Sequence, residues 1–171
     1  NIIQGAALVS PSKIIAVDIL DNKLLAAKDF GATDLINAKN EDPVQKIKDL
    51  TYGKGVDFAF ESAGLKVTME QAYESANNSG VINLVGNPAQ NEKVEIDALD
   101  LHYGKKLIGG HGGNANPSID FTRYINLSLS GKLDLKSFTK DIYELKNINR
   151  AIDDLKNGIV LRPLITFEKG K

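Results

Sequence analysis

The sequence contains no cysteine. Disulfides and thiol nucleophiles are therefore excluded, and the usual zinc ligands are missing with them. The two histidines, His102 and His111, have no cysteine partners, so no metal site is expected in this chain. No G-x-S-x-G occurs, which removes the support for a Ser/His/Asp triad. No apolar run reaches the roughly 18 residues of a membrane span, so no membrane partner is expected. The start, NIIQGAALVS, lacks the basic residues of a signal peptide, and the cytoplasm is the default expectation. Charge of one sign is also lacking: the formal net charge is −1 and no Lys/Arg stripe is present. Nothing electrostatic argues for nucleic acid.

What is present is alternation. Length fits one domain over residues 1–171 with a sizeable core. Helical and strand periods follow one another with few interruptions. Asn1 to Leu8 reads as the tail of a helix, stopped by Ser10-Pro11. Lys13 to Val17 reads as a strand, Asp21 to Phe30 as a helix ended at Gly31, and Asp34 to Asn37 as a second strand. Asp42 and Pro43 cap a helix carrying Val44, Ile47 and Leu50. Strands are expected over 56–60, 81–85, 93–96, 105–108 and 161–167, and helices over 68–76, 119–130 and 148–157. Short strands separated by helices of about ten residues imply a doubly wound α/β fold, a parallel sheet with helices on both faces.

In such sheets a ligand lies beyond the carboxyl ends of the strands, where the strand order switches. Those ends here are Asp18, then Glu61-Ser62-Ala63-Gly64, then Val85-Gly86-Asn87-Pro88, then the glycines of "GGHGG" at 109–113. Small residues and glycines let backbone approach a flat ligand closely. Each is equally what a tight turn needs, and Asp18 is equally a candidate helix N-cap. An acid ending an early strand suits the adenosine ribose of a dinucleotide, but a G-x-G-x-x-G turn should then precede it by about 20 residues. Only seventeen residues precede Asp18, and Gly5 is the single glycine among them.

The stretches "KIIAVDILDNKLLAAKDFGATDLIN", "GVDFAFESAG", "GVINLVGNP" and "NRAIDDLKNGIVLRPLITF" resemble, in order, the coenzyme-binding half of zinc-dependent medium-chain alcohol dehydrogenases. The resemblance covers essentially the whole chain. It implies a Rossmann-like domain whose first strand and glycine-rich loop would lie before Asn1, so that the chain looks like a fragment. It implies NAD as cofactor and a small alcohol or aldehyde as substrate, oxidised by hydride transfer. It further implies zinc in the complete enzyme, held by ligands outside this chain. Asp18 matches the acid that holds both ribose hydroxyls and disfavours a 2′-phosphate. Lys23 matches a lysine reaching the same ribose, and Ile19 a residue against the adenine, with Ser62 and Ala63 nearby. Val85, Gly109 or Gly110, and His111 match positions whose backbone binds the nicotinamide carboxamide. Arg162 matches an arginine reaching back to the pyrophosphate, where its fork of donors suits anionic oxygens.

Departures from the family are His111, where a bulky apolar residue is common, and Asn87, which replaces an apolar contact. A fragment of this kind is not expected to turn over alone. The resemblance also implies a homodimer, or a dimer of dimers, through the sheet edge at 93–110. Two other readings share the fold: a nucleotide-sensing module without catalysis, and an S-adenosylmethionine methyltransferase, whose sheet ends in a reversed strand. A last expectation concerns topology. If the central strand is missing, strands 13–17 and 56–60 become inner edges and do not pair with each other.

Overall fold

The structure, a computed structural model, describes residues 1–110 and 112–167. In chain order the elements are α1 (Ile2–Ala7), β1 (Ile15–Asp18), α2 (Asp21–Asp29), β2 (Asp34–Asn37), α3 (Pro43–Leu50), β3 (Val56–Glu61) and α4 (Lys66–Ser75). They continue with β4 (Ala76–Leu84), α5 (Ala98–His102), β5 (Lys106–Gly109), α6 (Pro117–Leu129), β6 (Ile142–Glu144), α7 (Ile148–Lys156) and β7 (Leu164–Thr166). Two compact units result: one joins residues 1–37 to the chain from 117 onward, the other is residues 38–116.

In the first unit, β1 and β2 pair in parallel with Asp18 opposite Asn37. The helix between them packs Leu24 and Ala27 against Ala16 and Ala32. A second parallel pair, β6 and β7, runs with Glu144 opposite Thr166. The two ends of this unit are joined by the Gln4 side chain, which donates to the Asp134 carbonyl (3.3 Å) and accepts from the Asp134 amide (2.6 Å).

In the second unit, β3, β4 and β5 pair in parallel in that order, and Glu61, Leu84 and Gly109 form one row. Tyr73, Ala76 and Ile82 are its buried core, and Ala59 and Leu107 pack against them. Asp42 caps α3 as its sequence position implies, accepting from the amides of Val44 (2.9 Å) and Gln45 (3.4 Å) behind Pro43. At the amino ends of β4 and β5, Lys105 is buried. Its ammonium pairs with Asp100 at 2.6 Å, donates to the Tyr73 carbonyl at 3.2 Å and stands 4.4 Å above the Tyr73 ring. The Tyr73 hydroxyl donates to the Asp97 carbonyl at 2.7 Å, so α5 is tied to α4.

Parallel strands with packed helices make the fold Rossmann-like, as expected. Each of the orders β1-β2 and β3-β4-β5, taken by itself, is compatible with a stretch of a doubly wound sheet. β1 pairs with β2 alone and β3 with β4 alone, so residues 13–17 and 56–60 are not hydrogen-bonded to each other. One local expectation fails. Residues 93–96 are not a strand: the Glu95 amide donates to the Glu70 carboxylate at 2.7 Å, Lys66 pairs with Glu95 at 2.9 Å, and Ile96 turns into the core. Side chains of α4 thus satisfy the backbone that a neighbouring strand would otherwise serve. The pairing of β6 with β7 is also unforeseen, because three residues carry too little periodicity to register.

Candidate functional site

In the first unit the chain leaves β1 at Asp18 and enters α2 three residues later, at Asp21. Asp18 Oδ1 accepts from the Leu20 amide at 3.0 Å. Leu20, not Asp18, is the N-cap residue, and its side chain caps nothing. The carboxylate therefore closes an Asx-type turn with one oxygen and keeps the other for a partner. Ile19 beside it is 53% exposed, an apolar surface on which a flat ring can lie. Lys23, half-buried in the first turn of α2, donates its amide to Asn22 Oδ1. Asn37, at the end of β2, donates to Asp21 at 2.6 Å, which adds a second acid to this end of the pair.

The turn from α7 to β7 is anchored here as well. Asn22 donates to the Gly158 carbonyl, and a Cβ on Gly158 would run into Leu20 and reach 3.9 Å from Lys23 Cε. Arg162 is exposed on this stretch. The structure brings Asp18, Ile19 and Lys23 together at one strand end.

In the second unit the turns after β3, β4 and β5 start from one row, so Ser62, Val85 and Gly110 follow it side by side. Ser62 and Ala63 are exposed and Val85 is 47% exposed. A Cβ on Gly109 would meet nothing, and one on Gly110 would meet Gly113 only at 3.9 Å, so both glycines face open space. His111 lies outside the described residues.

Sequence reasoning named Glu61 as a strand end without assigning it the role it has, that of organising these turns. Glu61 is 3% exposed. Its Oε1 accepts from the amides of Ala63 (2.7 Å) and Gly64 (2.8 Å) and from the Thr68 hydroxyl (2.7 Å). Its main-chain carbonyl accepts from the amides of Val85 (2.8 Å) and Gly86 (2.9 Å). The signal that could have found it is an acid at a strand end followed by small residues and a threonine seven positions on. Among the described residues no group of three or more His, Cys, Asp or Glu is placed to hold a metal ion, and no helix is long and apolar enough to cross a membrane.

Each unit by itself offers groups of a kind that a dinucleotide needs: in the first, the Asp18 carboxylate, an exposed guanidinium and apolar surface at Ile19, and in the second, apolar surface at Val85 and open glycine backbone. Comparison with known proteins agrees with that chemistry. A family profile described as "Zinc-binding dehydrogenase" matches residues 1–130. The geraniol dehydrogenase of Carpoglyphus lactis is 28% identical over 169 residues, covering 98% of this chain and 44% of that protein. Alcohol dehydrogenase 1 of Pisum sativum is 31% identical over 169 residues, covering 97% of this chain and 44% of that protein. The crystal structure of benzyl alcohol dehydrogenase from Acinetobacter calcoaceticus superposes with a TM-score of 0.91 at 35% identity. It covers 97% of this chain and 46% of that one. The chain spans less than half the length of the relatives it matches.

Proposed function

The chain belongs to the zinc-binding dehydrogenase family, and from that premise we propose that it is the NAD-binding domain, over residues 1–171, of a longer alcohol dehydrogenase. Asp18 carries the reading: a carboxylate at the end of β1 that spends one oxygen on the Leu20 amide and keeps one for the adenosine ribose. Its charge repels a 2′-phosphate, so NAD is selected over NADP. Lys23 donates to the same ribose, Ile19 packs on the adenine with Ser62 and Ala63, and Arg162 meets the pyrophosphate. Val85, Gly109, Gly110 and His111 serve the nicotinamide end.

NAD, when bound, accepts the hydride that leaves the alcohol carbon. This chain's part is to bind the dinucleotide and hold it in one orientation. Zinc, on this reading, is held by residues outside this chain and polarises the alcohol oxygen as a Lewis acid. The domain alone is inactive. Small alcohols or aldehydes are the substrates, and the enzyme is a homodimer or dimer of dimers through the region 93–110. Since 93–96 is no strand, β5 would supply the pairing edge.

A methyltransferase reading loses its support at the end of the chain, where β7 pairs with β6 in parallel rather than in a reversed hairpin. The sensing-module reading is separated by catalysis. The full-length protein, titrated with NAD and NADP and assayed with zinc on a series of primary and secondary alcohols, should bind NAD preferentially and reduce it. Binding of NAD without turnover of any alcohol would favour the sensor; binding of neither nucleotide would end the proposal.

A further inference from the structure

We infer that Glu61 is a positioning residue for the dinucleotide, pinning the turn that carries Ser62 and Ala63 against the turn that carries Val85. The inference rests on the cofactor reading above and extends it to a residue that touches no ligand.

The distribution of bonds is uneven in a way that a simple turn does not require. Oε1 takes three donors, while Oε2 is buried and has no hydrogen-bond partner. A buried carboxylate oxygen without a donor is costly, and native proteins keep few of them. This oxygen is sealed against the neighbouring turn. A Cβ on Gly86 would lie 2.6 Å from Oε2 and would also strike the Gly64 amide. Gly64 in turn adopts φ +76°, and a Cβ there would lie 2.5 Å from the Asn87 carbonyl. The two turns therefore interlock backbone to backbone. Glu61 reaches both, the first through its side chain and the second through its carbonyl and the face of Oε2.

A dinucleotide must meet both turns at once, adenine on one and nicotinamide on the other. A mononucleotide meets one. Their relative placement therefore matters to NAD and not to AMP, and errors in placement of about 1 Å are enough to cost binding or rate heavily.

The test measures dissociation constants for NAD and AMP in the full-length protein, with melting temperature recorded alongside. Glu61→Ala should weaken NAD on the order of tenfold to a hundredfold while weakening AMP far less. Glu61→Gln keeps the shape and the acceptor oxygen for all three donors, and should restore both affinities to near the wild-type level. Should Glu61→Ala fail to fold, Thr68→Val, which removes one donor at the edge of α4, carries the test and should open the same gap between NAD and AMP. Equal losses for both nucleotides, or no rescue by glutamine, would overturn the inference. Wild-type protein that binds neither nucleotide would instead sink the cofactor reading beneath it.

Discussion

Replacing Asp18 by asparagine separates the two tasks of this side chain. The variant keeps Oδ1, so the bond from the Leu20 amide at 3.0 Å survives and the turn into α2 holds its shape. It exchanges Oδ2 for an amide nitrogen and removes the negative charge. Charged hydrogen bonds are worth roughly 1.5–3 kcal/mol net against roughly 0.5–1.5 for neutral ones. With two ribose hydroxyls served by one carboxylate, NAD binding should weaken by about 1.5–3 kcal/mol, or roughly ten- to 150-fold. NADP should move the other way. A carboxylate and a phosphate about 4 Å apart repel by about 4 kcal/mol per pair of unit charges near a protein surface, less once salt screens them. The ratio of NAD to NADP affinity should therefore fall by at least about a hundredfold. Fluorescence titration of NADH and NADPH into the full-length protein reads both numbers, and an unchanged melting temperature confirms that the turn is intact. An unchanged ratio, or equal losses for both nucleotides, would remove Asp18 from the ribose site.

Other perturbations address stability. Lys105→Ala strips Asp100 and the Tyr73 carbonyl of their shared cation and should cost about 3 kcal/mol, whereas the double change Lys105→Met with Asp100→Leu should stay within about 1 kcal/mol of wild type; urea midpoints decide. Gly64→Ala forces a left-handed residue with its Cβ against the Asn87 carbonyl, and should cost about 3 kcal/mol with loss of NAD affinity. Burial, then the Asp100 and Asp97 charges, raises the pKa of Tyr73, and the hydrogen bond to Asp154 raises that of Tyr143. Their stabilising contribution is whole below the ordinary tyrosine pKa of about 10 and is lost as pH climbs through the higher folded values. An ultraviolet titration should show a late phenolate phase that shrinks in Tyr73→Phe; its persistence would contradict the buried placement.

The elements that carry the ends of β1, β3, β4 and β5 were legible because each has its own local signal. A β-branched run precedes Asp18, Asp42-Pro43 announces α3, and Gly86 and Gly110 follow closely on β4 and β5. Residues 93–96 looked like a strand for the same reason that they are not one. Val94 and Ile96 alternate with charges, but the charges of Glu95 and Lys66 find each other across sequence, and no window along the chain shows that. Glu61 was legible as a strand end but not as the organiser of the turns, because its partners are mostly backbone amides, which every residue has. Asp18 was ambiguous between N-cap and ligand contact, and only the position of Leu20 at the cap separates the two.

The pairing of Gln4 with Asp134 spans 130 residues, and that of Asn22 with Gly158 spans 136. The whole second unit lies between the partners. On a ribosome adding about 5–20 residues per second, the early strands wait roughly 7–26 seconds for the chain that completes their unit. Residues 38–116 are contiguous, and can condense while β1, α2 and β2 still lack α6, α7 and β7. Folding is therefore completed out of sequence order, with the middle of the molecule finished before its beginning. Substitutions that weaken the β-α-β segment 15–37 should lower the yield of nascent protein more than they lower the melting point of the mature one.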